Sequence, residues 1–99
     1  MTEVQVVFWR DIPAQVKARQ GGERSARGLT ERFQEAIDVA AMRAGLTETD
    51  DYLGEWRASA WEPRDGSPEA VADQRAAEIE AAYSDDRLLR LAENGGREA

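Results

Sequence analysis

The stretch VQVVFWRDIPAQVKAR, residues 4–19, decides how this chain folds. Five of its first six residues are β-branched or aromatic, and the six predict a strand with two largely apolar faces, as a central strand has. Residues 10–13 break the run, because Pro13 lacks an N–H and best fits the start or edge of the next strand. From Ala14 to Arg19 apolar and polar side chains alternate, which predicts a half-exposed strand. The stretch therefore predicts a β-hairpin.

The segment after the hairpin predicts a loop followed by a helix. Residues 20–28 (QGGERSARG) contain three glycines and no periodicity, which is typical of a loop. Thr30 is a candidate N-cap, and Gly45 has the position of a glycine C-cap. Between them lies the stripe of an amphipathic helix, formed by Phe33, Ala36, Ile37, Ala40, Ala41 and Ala44.

Residues 52–61 (YLGEWRASAW) alternate with a period of two and predict a third strand. An alternative is a helix that brings Leu53, Trp56 and Ala60 together. The preceding residues 47–51 predict an acidic turn, with one helical turn over residues 50–53 as a variant. Residues 62–66 predict a loop.

The C-terminal third predicts helix. Ser67 and Pro68 have the form of a cap followed by proline at the first helical position. Ser84 is a second candidate cap, so the region is either one kinked helix or two adjoining helices. Residues 97–99 are expected to be frayed.

The element order predicts an α+β fold of the form β-β-α-β-α(α), a two-layer sandwich with helices on one face of a small sheet. If the third strand pairs beside the first, the three-stranded sheet has the order 2-1-3 and is antiparallel. The length of 99 residues predicts one domain, which we place at residues 1–96.

Composition limits the chemistry. The chain has no cysteine and no histidine, so we expect no thiolate nucleophile, no histidine proton shuttle and no metal site. We therefore favour a non-enzymatic role without a cofactor. No stretch approaches the roughly 20 apolar residues of a membrane span, and the N-terminus lacks the features of a signal peptide, so we expect a cytoplasmic protein. The net charge is −7, because residues 47–99 carry −8 and residues 1–46 carry +1, and this acidic half disfavours nucleic acid as a partner.

The most unusual motif is FWRDIP, residues 8–13, which WR repeats at residues 56–57. One interpretation is a rigid hairpin corner packed with aromatic side chains. The other is a binding surface for another protein, because Trp and Arg are enriched at interface hot spots. The candidate partner-binding residues are Trp9, Arg10, Asp11, Trp56 and Arg57.

A basic cluster surrounds the glycine-containing segment after the hairpin. It consists of Lys17, Arg19, Arg24 and Arg27, with Arg32 nearby. It can pair with the acidic C-terminal half, within the chain or between chains, or hold an anionic ligand. The segment has no phosphate-binding glycine motif, so the nucleotide signal is very weak.

The motifs VVFWRDIPAQV (6–16), ERFQEAIDVAAMRAGL (31–46) and YLGEWR (52–57), with the acidic tail AAEIEAAYSDDRLLRLAENGG (76–96), resemble a small bacterial family known as virulence factor domain proteins. The resemblance implies no catalytic residues. At most, it implies an accessory role beside folate or corrinoid methyl-transfer enzymes. Family members carry more basic residues after AQV than this chain does, which weakens an anion-binding role for that segment.

The resulting functional hypothesis is an accessory or protein-interaction module of a bacterial complex, with another bacterial protein or a second copy as its partner. The alternative is a small-ligand-binding or accessory subunit of a folate or corrinoid methyl-transfer system, which would use the basic cluster for an anionic ligand. RNA binding by an aromatic sheet face is a third hypothesis, which the acidic charge disfavours.

Overall fold

A computed structural model describes residues 1–46 and 48–98. The predicted N-terminal hairpin is present, and its second strand continues into a third antiparallel strand. In chain order the elements are β1 (Thr2–Trp9), β2 (Ile12–Gln20), β3 (Glu23–Gly28), α1 (Glu31–Arg43), α2 (Thr49–Leu53), β4 (Trp56–Ala58), β5 (Glu62–Arg64), α3 (Pro68–Ala82) and α4 (Asp85–Glu93).

The sheet is antiparallel at every strand pair, and β1 is central. The order along the sheet is β3-β2-β1-β4, and β5 pairs with the other end of β1. The condition set for an antiparallel sheet, that the strand after α1 pairs beside β1, is therefore met. Pro13 lies opposite Phe8, where the register of β1 and β2 shifts, and proline is tolerated at such an irregularity.

Three sequence predictions about the strands are wrong. The sheet has five strands rather than three, because residues 23–28 and 62–64 form strands where loops were predicted. β3 shows no alternating pattern because it lies at the sheet edge and most of its side chains are exposed. The predicted long strand over residues 52–61 is only three residues long, since Tyr52 and Leu53 belong to α2.

The helix predictions are largely confirmed. α1 matches the predicted stripe, and Gly45 adopts the left-handed conformation expected just beyond a helix end. The hydroxyls of Ser67 and Ser84 each accept a backbone N–H, so the C-terminal region is two capped helices. Thr47 and Ala99, which belong to the predicted acidic turn and frayed end, lie outside the described residues.

One face of the sheet is buried under helices. Val4, Val6, Val16 and Ala18 point to this side, and together with Phe33, Ile37, Val71, Ile79 and Leu91 they belong to the core. α3 packs on β1, β2 and β3, and α1 packs on β2. The contacts of α4 are chiefly with α1, which a simple two-layer sandwich does not describe. The alternate side chains of β1 and β2 point to the opposite, open face of the sheet.

Candidate functional site

Trp9 is the first of the predicted partner-binding residues, and it is completely buried. Its indole N–H donates a hydrogen bond of 2.9 Å to the carbonyl oxygen of Tyr52. Its ring stacks on the ring of Tyr52 with 5.7 Å between the centroids. Trp9 therefore has no exposed surface in this structure, and it packs the core at the hairpin corner.

Arg10 is also committed to contacts within the chain. It adopts a left-handed backbone conformation with a φ of 52°, which turns the chain sharply after β1. Its guanidinium donates to the carbonyl oxygen of Gly95 at 3.0 Å and to the carboxylate of Glu55 at 3.2 Å. The side chain thus ties β1 to the segment before β4 and to the C-terminal segment.

Asp11 and Arg57 form the outer part of the same corner. The Asp11 carboxylate accepts a hydrogen bond from Arg57 at 3.3 Å and another from the backbone N–H of Glu98 at 2.7 Å. Arg57 also lies over the ring of Phe8, 4.6 Å from its centroid. Both side chains reach solvent, but their polar groups already have partners in the chain. Glu98 is held here although the sequence predicted a frayed end.

Trp56 is partly buried and differs from Trp9 in its surroundings. Its ring meets Tyr52 edge to face at 6.1 Å. It packs against the core and lines a cleft of about 340 Å³ between the sheet and the start of α1, together with Val7, Gln15 and Phe33. Among the five predicted partner-binding residues, Trp56 thus borders a concave surface.

The predicted anion-binding residues lie on both faces of the sheet. Register pairs Arg19 with Arg24 and Lys17 with Ala26, so Lys17, Arg19 and Arg24 share the open face. Arg27 pairs opposite the buried Val16, points to the helical side and forms an ion pair with Asp73 of α3. Arg27 therefore lies on the opposite face from the other three predicted anion-binding residues.

Trp61 joins this cluster on the open face. Its ring carries the guanidinium of Arg19, 3.9 Å from the ring centroid, and Arg19 also binds Glu3 at 3.1 Å. A groove of about 390 Å³ lies beside it. We call this surface the Trp61 groove; its lining residues are Gln5, Lys17, Ala18, Arg24, Ser25, Ala26 and Trp61.

Trp61 was not among the candidate site residues, and the reason is topological. The residues after it form β5, whose pairing with the start of β1 carries Trp61 across the sheet toward Gln5 and Arg19. The sequence WEPR contains Pro63 and resembles a loop, so the pairing had no local signal. The available signal was the aromatic side chain itself, which is unusual beside a predicted loop.

The cations of the groove differ from the other basic residues. Within residues 1–46 and 48–98, nine arginine residues lie within 4.0 Å of a carboxylate. The basic side chains with no ion pair in that part of the chain are Lys17, Arg24, Arg43 and Arg90. Two of these four, Lys17 and Arg24, line the Trp61 groove on neighbouring strands.

Perturbed ionisable groups lie on the helices rather than at this groove. Hydrogen bonding to Arg64 is the main cause that lowers the pKa of Glu78. Burial raises the pKa of the Tyr83 hydroxyl, and a hydrogen bond to Glu98 raises the pKa of Arg87. The shifts of Glu78 and Arg87 come from ion pairs within the chain, and the shift of Tyr83 comes from burial. Within the described ranges, no group of three or more metal-ligating side chains comes together.

No helix in the described part of the chain is both long enough and apolar enough to cross a membrane. Comparison with known proteins supplies one relative of unknown activity. The chain is 36% identical over 94 residues to the uncharacterized protein YpgR of Bacillus subtilis (strain 168). The match covers 92% of this chain but 23% of YpgR, so the chain spans about a quarter of that relative. No solved structure matches the chain significantly.

The family model described as Virulence factor matches residues 7–92. This range starts at Val7 in β1, contains every element from β2 to α3, and ends within α4. The matched range contains Trp56, Trp61 and both unpaired cations of the groove. The motifs that suggested the resemblance fall inside this range or overlap its start or its end. This chain therefore belongs to the Virulence factor family.

Proposed function

We propose that this domain is a non-enzymatic interaction module of a bacterial cytoplasmic complex, and that its open sheet face binds an acidic segment of a partner protein. The observation that supports this proposal is the position of Lys17 and Arg24. These two cations share one groove and have no ion pair within the described ranges, whereas most arginines of the domain are paired internally.

The aromatic side chains of the face suit a protein interface. Trp61 lines the Trp61 groove, and Trp56 lines the cleft between the sheet and the start of α1. Partly exposed tryptophans next to cations are typical of interface hot spots, since they offer large apolar area at a small entropy cost. An acidic partner would gain ion pairs with Lys17 and Arg24, and the charges would accelerate its association.

The length of the relative supports a role as a module. In YpgR the matching region makes up 23% of the polypeptide, so an equivalent domain exists there beside a much larger remainder. A domain of this kind that carries no recognisable catalytic residues fits an accessory role. The hairpin corner, where Arg10 donates to Gly95 and Glu55, would hold the sheet rigid beneath the binding surface.

The test is a charge reversal of the groove. We expect K17E/R24E to lose a partner that the wild-type domain and R43E/R90E both retain, because the control makes the same charge change at unpaired cations on the helical side. Quantitative affinity purification from the native cytoplasm identifies the partner, and calorimetry with the purified partner gives the loss in affinity, which we expect to be at least about tenfold. Identical partners and affinities for all three proteins would refute the sheet-face assignment.

A second candidate function rests on the shape of the same groove. Gln5 donates its amide N–H to Ser59 and keeps its amide oxygen available, beside the Trp61 ring and two cations. A planar anionic small molecule, such as a folate of a methyl-transfer system, fits this chemistry. A thermal-shift series with folate, nucleotide and corrinoid distinguishes the two candidates: a shift that K17E/R24E abolishes favours the ligand, and no shift at about 1 mM ligand excludes it.

A further inference from the structure

A second groove lies on the helical side of the domain, between α1 and α4. It has a volume of about 240 Å³. On α1 it is lined by residues 32, 35, 36 and 39, and on α4 by residues 85, 88, 89 and 92. Both sets follow the spacing i, i+3, i+4, i+7, which defines one stripe on each helix. We call this surface the α1–α4 groove.

The floor of the α1–α4 groove is apolar and two of its walls are exposed. Ala36, Leu88 and Ala92 are buried between the helices. Above them, Val39 is 42% exposed and Leu89 is 57% exposed. These two aliphatic side chains lie on neighbouring helices and form an apolar track that is exposed to water in the isolated domain. Such a track can bind the apolar face of another helix.

The charged residues around the track leave an unpaired carboxylate, because the one basic residue among them is ion-paired. The guanidinium of Arg32 is already paired within the chain, since it lies 3.0 Å from the carboxylate of Glu80 and 3.1 Å from that of Asp85. Glu35 lines the groove and has no ion pair in the described part of the chain. Among the residues that line the groove, two are acidic, Glu35 and Asp85, and one is basic, Arg32, so the rim favours a cationic occupant.

We propose that the α1–α4 groove binds an amphipathic helix of another protein, with aliphatic residues along one face and Lys or Arg along both flanks. The apolar face of that helix would cover Val39 and Leu89, and its flanking cations would meet Glu35. A second copy of this domain is a poor occupant, since it would place the same acidic rims against each other. This surface shares no lining residue with the Trp61 groove, so the domain would hold two partners or two segments at once.

Two labelled synthetic peptides of about 16 residues, or roughly four helical turns, test the proposal. They carry the same leucine stripe at i, i+3, i+4 and i+7, one with lysine flanks and the other with glutamate flanks. Fluorescence anisotropy should show binding of the lysine-flanked peptide in the micromolar range and at least about tenfold weaker binding of the glutamate-flanked peptide.

Variants locate the site. Leu89→Asp should weaken binding of the lysine-flanked peptide by about tenfold or more. Leu53→Asp is the matched control, because Leu53 is equally exposed at 54% but lies on α2, and it should leave the affinity unchanged. Glu35→Lys should weaken binding of the lysine-flanked peptide and strengthen binding of the glutamate-flanked peptide. Glu62→Lys on β5 should change the affinity for neither peptide. Thermal denaturation checks that each variant is folded.

Each contrary result overturns the proposal. One is the absence of binding by the lysine-flanked peptide at about 1 mM. Another is equal affinity for both peptides, or equal affinity of wild type and both groove variants. Sedimentation equilibrium provides the remaining arm: a wild-type dimer that Leu89→Asp dissociates would identify a second copy as the occupant.

Discussion

At the scale of single residues, the contact between Gly96 and Trp9 explains why the double glycine follows α4. Gly96 has a φ of 89°, which L side chains rarely adopt. A Cβ at this position would lie 2.8 Å from Cζ3 of Trp9. Because Trp9 is fully buried and bonded to Tyr52, its ring cannot move away. The glycine therefore allows the C-terminal segment to close over the tryptophan.

Gly96→Ala should lower the free energy of unfolding by about 3 kcal/mol, since it combines a left-handed alanine with overpacking against Trp9. Gly21→Ala separates the two causes. Gly21 has a φ of 59°, but a Cβ there meets no atom within 4 Å, so we expect a loss of about 1 kcal/mol. Urea denaturation measures both values. Equal losses would show that the close contact with Trp9 carries no cost.

At the scale of elements, one carboxylate joins α1 to α3. Glu80 accepts hydrogen bonds from the backbone N–H of Thr30 at 2.8 Å and from its hydroxyl at 3.0 Å. It also accepts from Arg32 at 3.0 Å, and Arg32 in turn donates to the carbonyl of Tyr83 at the end of α3. The predicted N-cap residue Thr30 therefore donates its hydroxyl to a neighbouring helix instead of capping its own.

This network makes stability depend on pH. Burial of Glu80 works to raise its pKa, but the hydrogen bonds from Thr30 and Arg32 outweigh burial, and the pKa is lowered from 4.5. A carboxyl with a lowered folded-state pKa stabilises the fold above its unfolded pKa, and this contribution is lost as the pH falls through the folded value. The contribution of Glu80 should thus be complete at pH 7 and decline below about pH 4.5.

Glu80→Gln should cost about 1 kcal/mol at pH 7, because it removes charge-assisted hydrogen bonds at a partly exposed site. The cost should shrink as the pH falls below 4.5, where the wild type also loses the carboxylate. Glu93→Gln, on the exposed side of α4, should cost little at either pH. Denaturant midpoints between pH 3 and pH 7 measure the difference; a cost for Glu80→Gln that stays constant over this range would contradict the assignment.

At the scale of the whole molecule, the C-terminal segment closes the fold against the first hairpin. The N–H of Asp11 donates to the carbonyl of Gly96 at 2.8 Å, and the guanidinium of Arg10 donates to Gly95. The backbone of Glu98 then donates to the Asp11 carboxylate. These contacts join residues about 85 positions apart in the chain, so the stability of the hairpin corner depends on the last few residues.

A chain that ends at Asn94 should lose about 2–4 kcal/mol of stability, because it loses these hydrogen bonds and uncovers Trp9. A chain that ends at Arg97 is the matched control. It keeps Gly95 and Gly96 and loses only the contacts of the last two residues, so we expect about 1 kcal/mol. Urea denaturation followed by tryptophan fluorescence compares them. Equal stability of the two truncated chains would contradict the closing role of the glycine segment.

The secondary-structure predictions are confirmed where side chains close together in the sequence determine the element. The strand at residues 4–9, the helix after Thr30 and the caps at Ser67 and Ser84 all follow from patterns within a few residues. β3 and β5 were not predicted, because their side chains are mostly exposed and show no apolar pattern. Their strand conformation depends on hydrogen bonds to β2 and β1, respectively. A Trp-Arg motif likewise cannot show by itself which side chains are buried.

The sequence by itself determined an α+β domain built on an N-terminal hairpin, with no cysteine or histidine for catalysis and with a family resemblance that the comparisons confirm. Tertiary structure alone decided which parts of the candidate site are available. It buried Trp9 under Gly96, turned Arg27 toward α3 and brought Trp61 beside Lys17 and Arg24. The physical reason is that burial and ion pairing are set by strand register and by contacts between distant residues, and neither is recorded in the local order of side chains.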